Sequence, residues 1–122
     1  MGNTKAYFIA LWIVVGTAGQ CFADTTGNEI REMCQISLHH SDRPNMNSND
    51  GAKAGFCLGF TEAIITLGDG LAEPGRFCHP NGVTIGQAYR VLLKYLDEHP
   101  ERTNERAVLL ALLAFKEAWP CH

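Results

Sequence analysis

The chain has 122 residues, the length of a single domain. Its 10 Lys and Arg against 13 Asp and Glu give a formal net charge of −3, which argues against nucleic acid or an anionic lipid surface as the partner. The sequence has no G-x-S-x-G, no H-E-x-x-H and no glycine-rich phosphate loop, so no catalytic motif points to an enzyme.

Residues 1–23 have the layout of a secretory signal peptide. A short basic n-region with Lys5 precedes the apolar run Ala6–Ala18. Cys21-Phe22-Ala23 then places small residues at the two positions that signal peptidase reads, so cleavage is predicted before Asp24.

Two other interpretations of this leader are weaker. Ala6–Ala18 is short beside the roughly 20 residues that span a bilayer, and Gln20 is a poor neighbour for lipid attachment at Cys21. The expected mature domain is therefore 24–122, with no membrane segment. Since the leader carries only Lys5 among its charged residues, the net charge becomes −4.

The first two predicted helices form one hairpin. Thr26 and Glu29 have the spacing of a capping box, which marks a helix start. The polar run Ser41–Asp50 predicts a loop, and a second helix is expected from Asn49 or Asp50 to about Leu67. Between Glu29 and a helix end near His40, apolar residues recur at intervals of three and four: Ile30, Met33, Cys34 and Leu38.

The second helix carries a ridge of small residues spaced by four: Gly51, Gly55, Gly59 and Ala63. Such a ridge lets another helix approach closely, and Lys53 and Glu62 favour a packing groove in a soluble protein over a membrane contact. Each glycine weakens the helix by up to about 1 kcal/mol relative to alanine, so close packing should compensate. The adjacent stripe is expected to be core: Phe56, Phe60, Ile64 and Leu67.

The second half of the chain predicts another hairpin. Thr84 and Gln87 form a second capping box, and the residue before Pro100 resists the helical conformation. No alternating strand pattern occurs, so the predicted fold class is all-α, a small bundle of four main helices in two antiparallel hairpins. The remaining boundaries are a connection at 68–83, a third helix from Thr84 to His99, and a fourth from Thr103 or Asn104 to Pro120.

Cysteine positions support the two hairpins. Loss of Cys21 leaves an even four, Cys34, Cys57, Cys78 and Cys121, as expected of a disulfide framework in an oxidising compartment. Of the three possible pairings, Cys34–Cys57 with Cys78–Cys121 is favoured, because each midpoint then falls in a predicted turn. A zinc site is disfavoured because no C-x2-C spacing is present, and no metal or cofactor is expected.

Two surfaces are candidates for contact with a partner. Acidic residues concentrate at the closed end of the second hairpin and could meet a basic partner, although many such clusters are solvated turns. The polar loop Ser41–Asp50 is the other candidate. The preferred set is the first, for its charge: Asp97, Glu98, His99, Glu101 and Glu105.

Several motifs together resemble the Rap/Tai-type immunity proteins. The resemblance spans about residues 30–121, and its motifs fall in the order of that family. They are Phe56-Cys57-Leu58-Gly59-Phe60, Phe77-Cys78-x-Pro80, Gly82-Val83-Thr84, Gln87, Tyr95-Leu96, His99-Pro100-Glu101 and Trp119-Pro120-Cys121.

The resemblance implies a disulfide-bonded, all-helical protein in the periplasm of Gram-negative bacteria. Such a protein is often dimeric and is not an enzyme. It would bind a peptidoglycan amidase effector of a type VI secretion system and block its active-site cleft. The alternative is a periplasmic helical chaperone, stress or envelope protein of the same fold with no toxin partner.

Overall fold

A computed structural model describes residues 24–39, 45–68 and 70–122. Apart from an isolated bridge between Thr26 and Arg106, these residues contain no β-structure, so the all-α prediction is confirmed. The predicted leader, 1–23, lies outside the described residues. The described helices are α1 (Gly27–Leu38), α2 (Ser48–Gly68), α3 (Ile85–Glu98), a 3-10 turn (Pro100–Arg102) and α4 (Ala107–Ala118).

Two disulfides close the two hairpins, as predicted. Cys34 on α1 is bonded to Cys57 on α2, with the Cα atoms 5.1 Å apart, and both side chains are fully buried. Cys78 is bonded to Cys121 with a Cα separation of 4.9 Å, joining the segment before α3 to the segment after α4. Each disulfide therefore ties together the two helices of one hairpin.

The starts of α1 and α3 follow from local capping. The Thr26 hydroxyl accepts a hydrogen bond from Glu29 N, and the Glu29 carboxylate accepts one from Thr26 N at 2.7 Å, which completes the capping box. These hydrogen bonds hold the pKa of Glu29 below its usual value. The Thr84 hydroxyl accepts a hydrogen bond from Gln87 N at 3.1 Å and caps α3.

The core lies where α3 and α4 meet α1 and the segment before α3. The rings of Phe77 and Phe115 are fully buried with their centres 5.4 Å apart. Gly68 ends α2 against this pair, since a Cβ on Gly68 would lie 2.2 Å from the Phe77 ring. The largest fully buried apolar side chains are Ile30, Phe77, Leu92, Leu96, Leu110 and Phe115.

The fourth helix begins later than predicted, at Ala107 instead of Thr103 or Asn104. The backbone just before α1 accounts for the delay, because it pairs with the segment that was expected to start the helix. Gly27 N donates to Glu105 O at 2.9 Å, and Ala107 N donates to Thr25 O at 2.7 Å. Arg106, the residue before α4, is therefore held in an extended conformation, and the helix begins only after it.

The prediction that the small residues of α2 form a packing groove for another helix of the chain is also wrong. Gly51, Gly55, Gly59 and Ala63, which we call the small-residue ridge, are exposed, and no described residue lies within 4 Å of a Cβ built on Gly55 or Gly59. Phe56 and Leu67, predicted to be core, are 45% and 60% exposed, whereas Ile64 is buried as expected. The buried face of α2 instead contains Ala54, Cys57, Thr61, Ile64 and Ile65.

None of the described helices has the length and apolar character needed to cross a membrane.

Candidate functional site

The five predicted partner-contact residues lie together where α3 gives way to α4. Asp97 and Glu98 end α3, His99 follows as its C-cap, and Glu101 is in the 3-10 turn. Glu105 stands just before α4. We call residues 97–106 the closed end of the second hairpin.

The two carboxylates that end α3 have different partners. Asp97 accepts a hydrogen bond from Nη2 of Arg31 on α1, which ties the closed end to the first hairpin. Glu98 lies one turn after Lys94, with the Oε1 and Nζ atoms 3.7 Å apart. Exposed pairs of this second kind contribute about 0.3–0.5 kcal/mol, so Glu98 can exchange its partner readily.

His99 and Glu101 form the tip of the turn. The His99 ring packs on Tyr95 with the ring centres 4.4 Å apart, and Tyr95 is itself buried. Nδ1 of His99 lies 3.4 Å from Oε1 of Glu101, whose side chain is 65% exposed. Tyr95 thus fixes the orientation of the histidine, whereas the Glu101 carboxylate remains largely in solvent.

Glu105 is held by Arg102 in a two-point contact. Arg102 Nε and Nη2 donate to the two carboxylate oxygens at 2.7 and 2.8 Å, and Arg102 Nη1 donates to the Tyr95 hydroxyl at 3.0 Å. This contact holds the pKa of Glu105 below its usual value and raises the pKa of Arg102. The pair links the turn to α3 and makes Glu105 a structural residue.

The closed end is therefore not the free acidic patch that the sequence suggested. Each of its four carboxylates is paired with a side chain of the same chain, namely Arg31, Lys94, His99 or Arg102. A partner would therefore meet individual carboxylates there and not a uniformly acidic patch. The side chains with the weakest internal ties are Glu98 and Glu101, whereas Asp97 and Glu105 hold neighbouring elements in place.

Sequence reasoning missed the residues that brace this end. Arg102 and Glu105 are three positions apart, a spacing that could have suggested a pair. Arg31 and Asp97 are separated by 66 positions, and only the packing of α1 beside α3 brings them together. No local pattern could have revealed that second contact.

The other candidate surface, Ser41–Asp50, is only partly described because residues 40–44 fall outside the structure's described ranges. An open groove of about 520 Å³ lies beside the described part, between the end of α1 and the start of α2. Asn47 and Asp50 exchange hydrogen bonds there, and Lys53 pairs with Glu32 across the groove. Its lining also includes the apolar side chains of Ile36 and Met46, and the two polar pairs already satisfy each other's hydrogen bonds.

The described residues contain neither a free cysteine thiol nor a cluster of metal ligands. All four described cysteines are in disulfides, so none of them is a thiolate nucleophile or a zinc ligand. Across 24–39, 45–68 and 70–122, no three His, Cys, Asp or Glu side chains are grouped to hold a metal ion.

Comparison with protein families matches residues 26–121 to the Rap1a immunity proteins. The chain belongs to that family. The match covers both hairpins and both disulfides, and it confirms the resemblance seen in the sequence. Searches of curated proteins and of solved structures gave no match. Membership of the Rap1a immunity proteins indicates an immunity function, in which the domain acts by binding an effector protein.

Proposed function

We propose that the chain is a periplasmic immunity protein that binds a peptidoglycan amidase effector of a type VI secretion system and occludes its active site. The observation that carries the proposal is the family match over 26–121, nearly the whole described region. On this proposal the domain is an inhibitor and not an enzyme. It needs no cofactor.

The periplasmic location is supported by the disulfides. Cys34–Cys57 and Cys78–Cys121 use every described cysteine, and structural disulfides persist in oxidising compartments such as the bacterial periplasm. The signal-peptide pattern in 1–23, with cleavage after Ala23, belongs to the same proposal. An amidase that cuts peptidoglycan acts in that compartment, so toxin and inhibitor would meet there.

The proposed contact is the tip of the closed end, with Glu98, His99 and Glu101 facing the effector. This tip is exposed, yet its backbone is held by Arg102 and by the hydrogen bonds from the segment before α1. A turn fixed in advance loses little conformational entropy on binding, which favours tight occlusion of a cleft. Substrate would be excluded from a cysteine–histidine active site because the tip fills the space in front of it.

Charge reversal tests this surface. We expect the double variant Glu98→Lys/Glu101→Lys to bind the amidase at least tenfold more weakly than the parent protein, because two carboxylates that would pair with basic groups of the amidase become cations that repel those groups. Isothermal titration calorimetry and an assay of peptidoglycan cleavage measure the loss of affinity and of inhibition.

Glu73→Lys is the matched control. Its carboxylate is 65% exposed, as is that of Glu101, and it too pairs with a cation of the same chain, Lys116. It lies in the connection between the hairpins, so affinity should be unchanged. If the double variant binds as tightly as this control, the closed end is not the contact. If the parent protein binds no amidase, the proposed function itself is wrong.

A further inference from the structure

The two disulfides differ in how far solvent reaches them. Cys34 and Cys57 are 0% exposed and belong to the hydrophobic core. Cys78 and Cys121 are partly exposed, and both lie outside helices. A thiolate opens a disulfide by attacking one of its sulfur atoms, so access to the bond is one of the factors that set its rate of reaction. The folded domain therefore presents one disulfide to reagents in solution and shields the other.

The shielded bond lies between two packed helices. Ile30, one turn before Cys34, and Thr61, one turn after Cys57, are also 0% exposed. A reagent can reach the sulfur atoms there only after α1 and α2 separate. That opening exposes core residues, so it requires a free energy close to that of global unfolding.

The partly exposed bond lies at the open end of the second hairpin, where the chain on both sides is at the surface. Pro80 and Pro120 are exposed, α3 begins only at Ile85, and α4 has already ended at Ala118. No helix has to unwind for a reagent to approach. A thiol can therefore attack this bond while the domain stays folded.

Contacts that do not involve sulfur hold the two sides of this bond together. Cys78 N donates to Trp119 O at 2.9 Å, and the Trp119 ring stacks on the buried Phe115 ring with the centres 5.5 Å apart. The ring of His79 meets Trp119 edge-on at 6.4 Å. Because these contacts persist when the bond opens, the two thiols remain neighbours and can close again at a high effective concentration.

We propose that Cys78–Cys121 is a reversible thiol–disulfide exchange site of the folded domain, that its reaction partner is a dithiol, and that Trp119 keeps the opened thiols together. Cys34–Cys57 is then the permanent link of the domain. One thiolate of the dithiol attacks a sulfur of the bond and forms a mixed disulfide, and the other cysteine leaves as a thiolate and takes up a proton. The second thiol of the partner loses its proton and attacks the mixed disulfide. The partner departs with an internal disulfide, two electrons have passed to the protein, and an oxidised partner reverses the reaction.

Selective reduction of the parent protein tests the site. Dithiothreitol at about pH 8 supplies the thiolate, and iodoacetamide followed by peptide mass mapping identifies the opened cysteines. We expect Cys78 and Cys121 to be alkylated at least about 100-fold faster than Cys34 and Cys57, because only the second pair needs core opening. In about 6 M guanidinium chloride the difference should vanish. Equal rates in the folded protein, or a difference that persisted in the denaturant, would overturn the proposal.

A second probe identifies the kind of dithiol that the site takes. Reduced thioredoxin carries its two thiols on a protein surface, whereas dithiothreitol is small. Reaction with both probes assigns the site to protein dithiols as well as small ones. Reaction with dithiothreitol alone restricts the site to small dithiols, and selective reaction with neither contradicts the proposal.

Low concentrations of urea show whether the attack occurs on the folded domain. A reaction that requires unfolding accelerates steeply, because the unfolded fraction rises exponentially with urea concentration. Up to about 1 M urea, reduction of Cys78–Cys121 should change by less than about twofold, and reduction of Cys34–Cys57 should accelerate at least about fivefold. Equal acceleration of the two bonds would mean that both open only by unfolding, which is the opposite of the proposal.

Trp119→Ala tests what holds the opened thiols together. At a fixed ratio of reduced to oxidised dithiothreitol, this variant should raise the ratio of open to closed Cys78–Cys121 at least about fivefold, because the effective concentration of the thiols falls. Phe60→Ala is the matched control, since it also removes a partly buried aromatic ring that packs on the core, but from α2. It should leave the ratio unchanged. Equal ratios in the two variants would refute the role of Trp119.

Discussion

At the scale of single residues, one close approach explains why α2 ends in a glycine. A Cβ on Gly68 would lie 2.2–2.6 Å from three atoms of the Phe77 ring, and that ring is fully buried against Phe115. An added methyl group at position 68 would have to displace a buried ring. Gly68 is therefore a packing requirement of the core and not merely a helix terminator.

Gly68→Ala should lower the free energy of unfolding by about 1–3 kcal/mol, because the added methyl group displaces a ring in a closely packed core. Gly86→Ala makes the matched comparison. Its Cβ would meet its nearest neighbours at 3.9 Å, so this variant should be unchanged or stabilised by up to about 1 kcal/mol. Urea unfolding followed by circular dichroism measures both. Equal stabilities would show that Phe77 can move aside.

Glu105 gives a second prediction at this scale. Its pKa lies below the ordinary value of 4.5 in the folded chain because of Arg102, so the unfolded chain binds protons more readily as the pH falls. The contribution of the Glu105–Arg102 pair to the free energy of unfolding should therefore be fully present above about pH 5. It should decline as the pH falls below 4.5 through the lower pKa of the folded chain. Glu105→Gln should be less stable at neutral pH but lose less stability on acidification. Thermal melts between pH 3 and pH 7 give the dependence of the melting temperature on pH for the parent protein and for Glu105→Gln. Equal dependence in the two proteins would contradict the prediction.

At the scale of elements, the two hairpins have separate disulfides. The Cys34–Cys57 bond spans 23 positions and the Cys78–Cys121 bond spans 43. The loop-entropy relation assigns these about 3 and 4 kcal/mol. For a domain of this size each contribution is a large part of the total stability.

Replacing either pair with alanine should therefore lower the free energy of unfolding by about 3–4 kcal/mol. Chemical denaturation of Cys34→Ala/Cys57→Ala and Cys78→Ala/Cys121→Ala measures each loss. The first variant also loses sulfur atoms from the fully buried core, so its folded state should pack less tightly. A variant as stable as the parent would show that its hairpin needs no covalent link.

The sequence predicted those elements whose signals are local. Capping residues placed the starts of α1 and α3, and the cysteine positions indicated which helices pair. The start of α4 was predicted too early because distant backbone, at Thr25 and Gly27, holds the preceding residues. The outward face of α2 was misassigned because periodicity cannot distinguish the two sides of a helix that is apolar all round. Cys57 was the available signal, since a cysteine bonded to α1 must face inward.

For the candidate site the sequence predicted the cluster but not its electrostatics. Four of the five residues lie within Asp97–Glu101, so their proximity follows from their order in the chain. Their partners do not, because Arg31 comes from another hairpin. A count of acidic residues therefore overstates the charge that a partner would meet.

At the scale of the whole molecule, the closed end of the second hairpin and the exposed small-residue ridge of α2 are separate surfaces with no residue in common. The closed end is polar, and its charged side chains are paired within the same chain. The ridge is apolar and has exposed apolar side chains beside it. A substitution at one surface should therefore leave the other surface intact.

The order of the four described cysteines has a consequence for biogenesis. Both disulfides join a cysteine to the next one along the chain, Cys34 to Cys57 and then Cys78 to Cys121. An oxidant that links thiols in the sequence in which they emerge from a translocation channel would therefore yield the native connectivity directly. Maturation of this domain should then need an oxidase but no enzyme that reshuffles incorrect bonds.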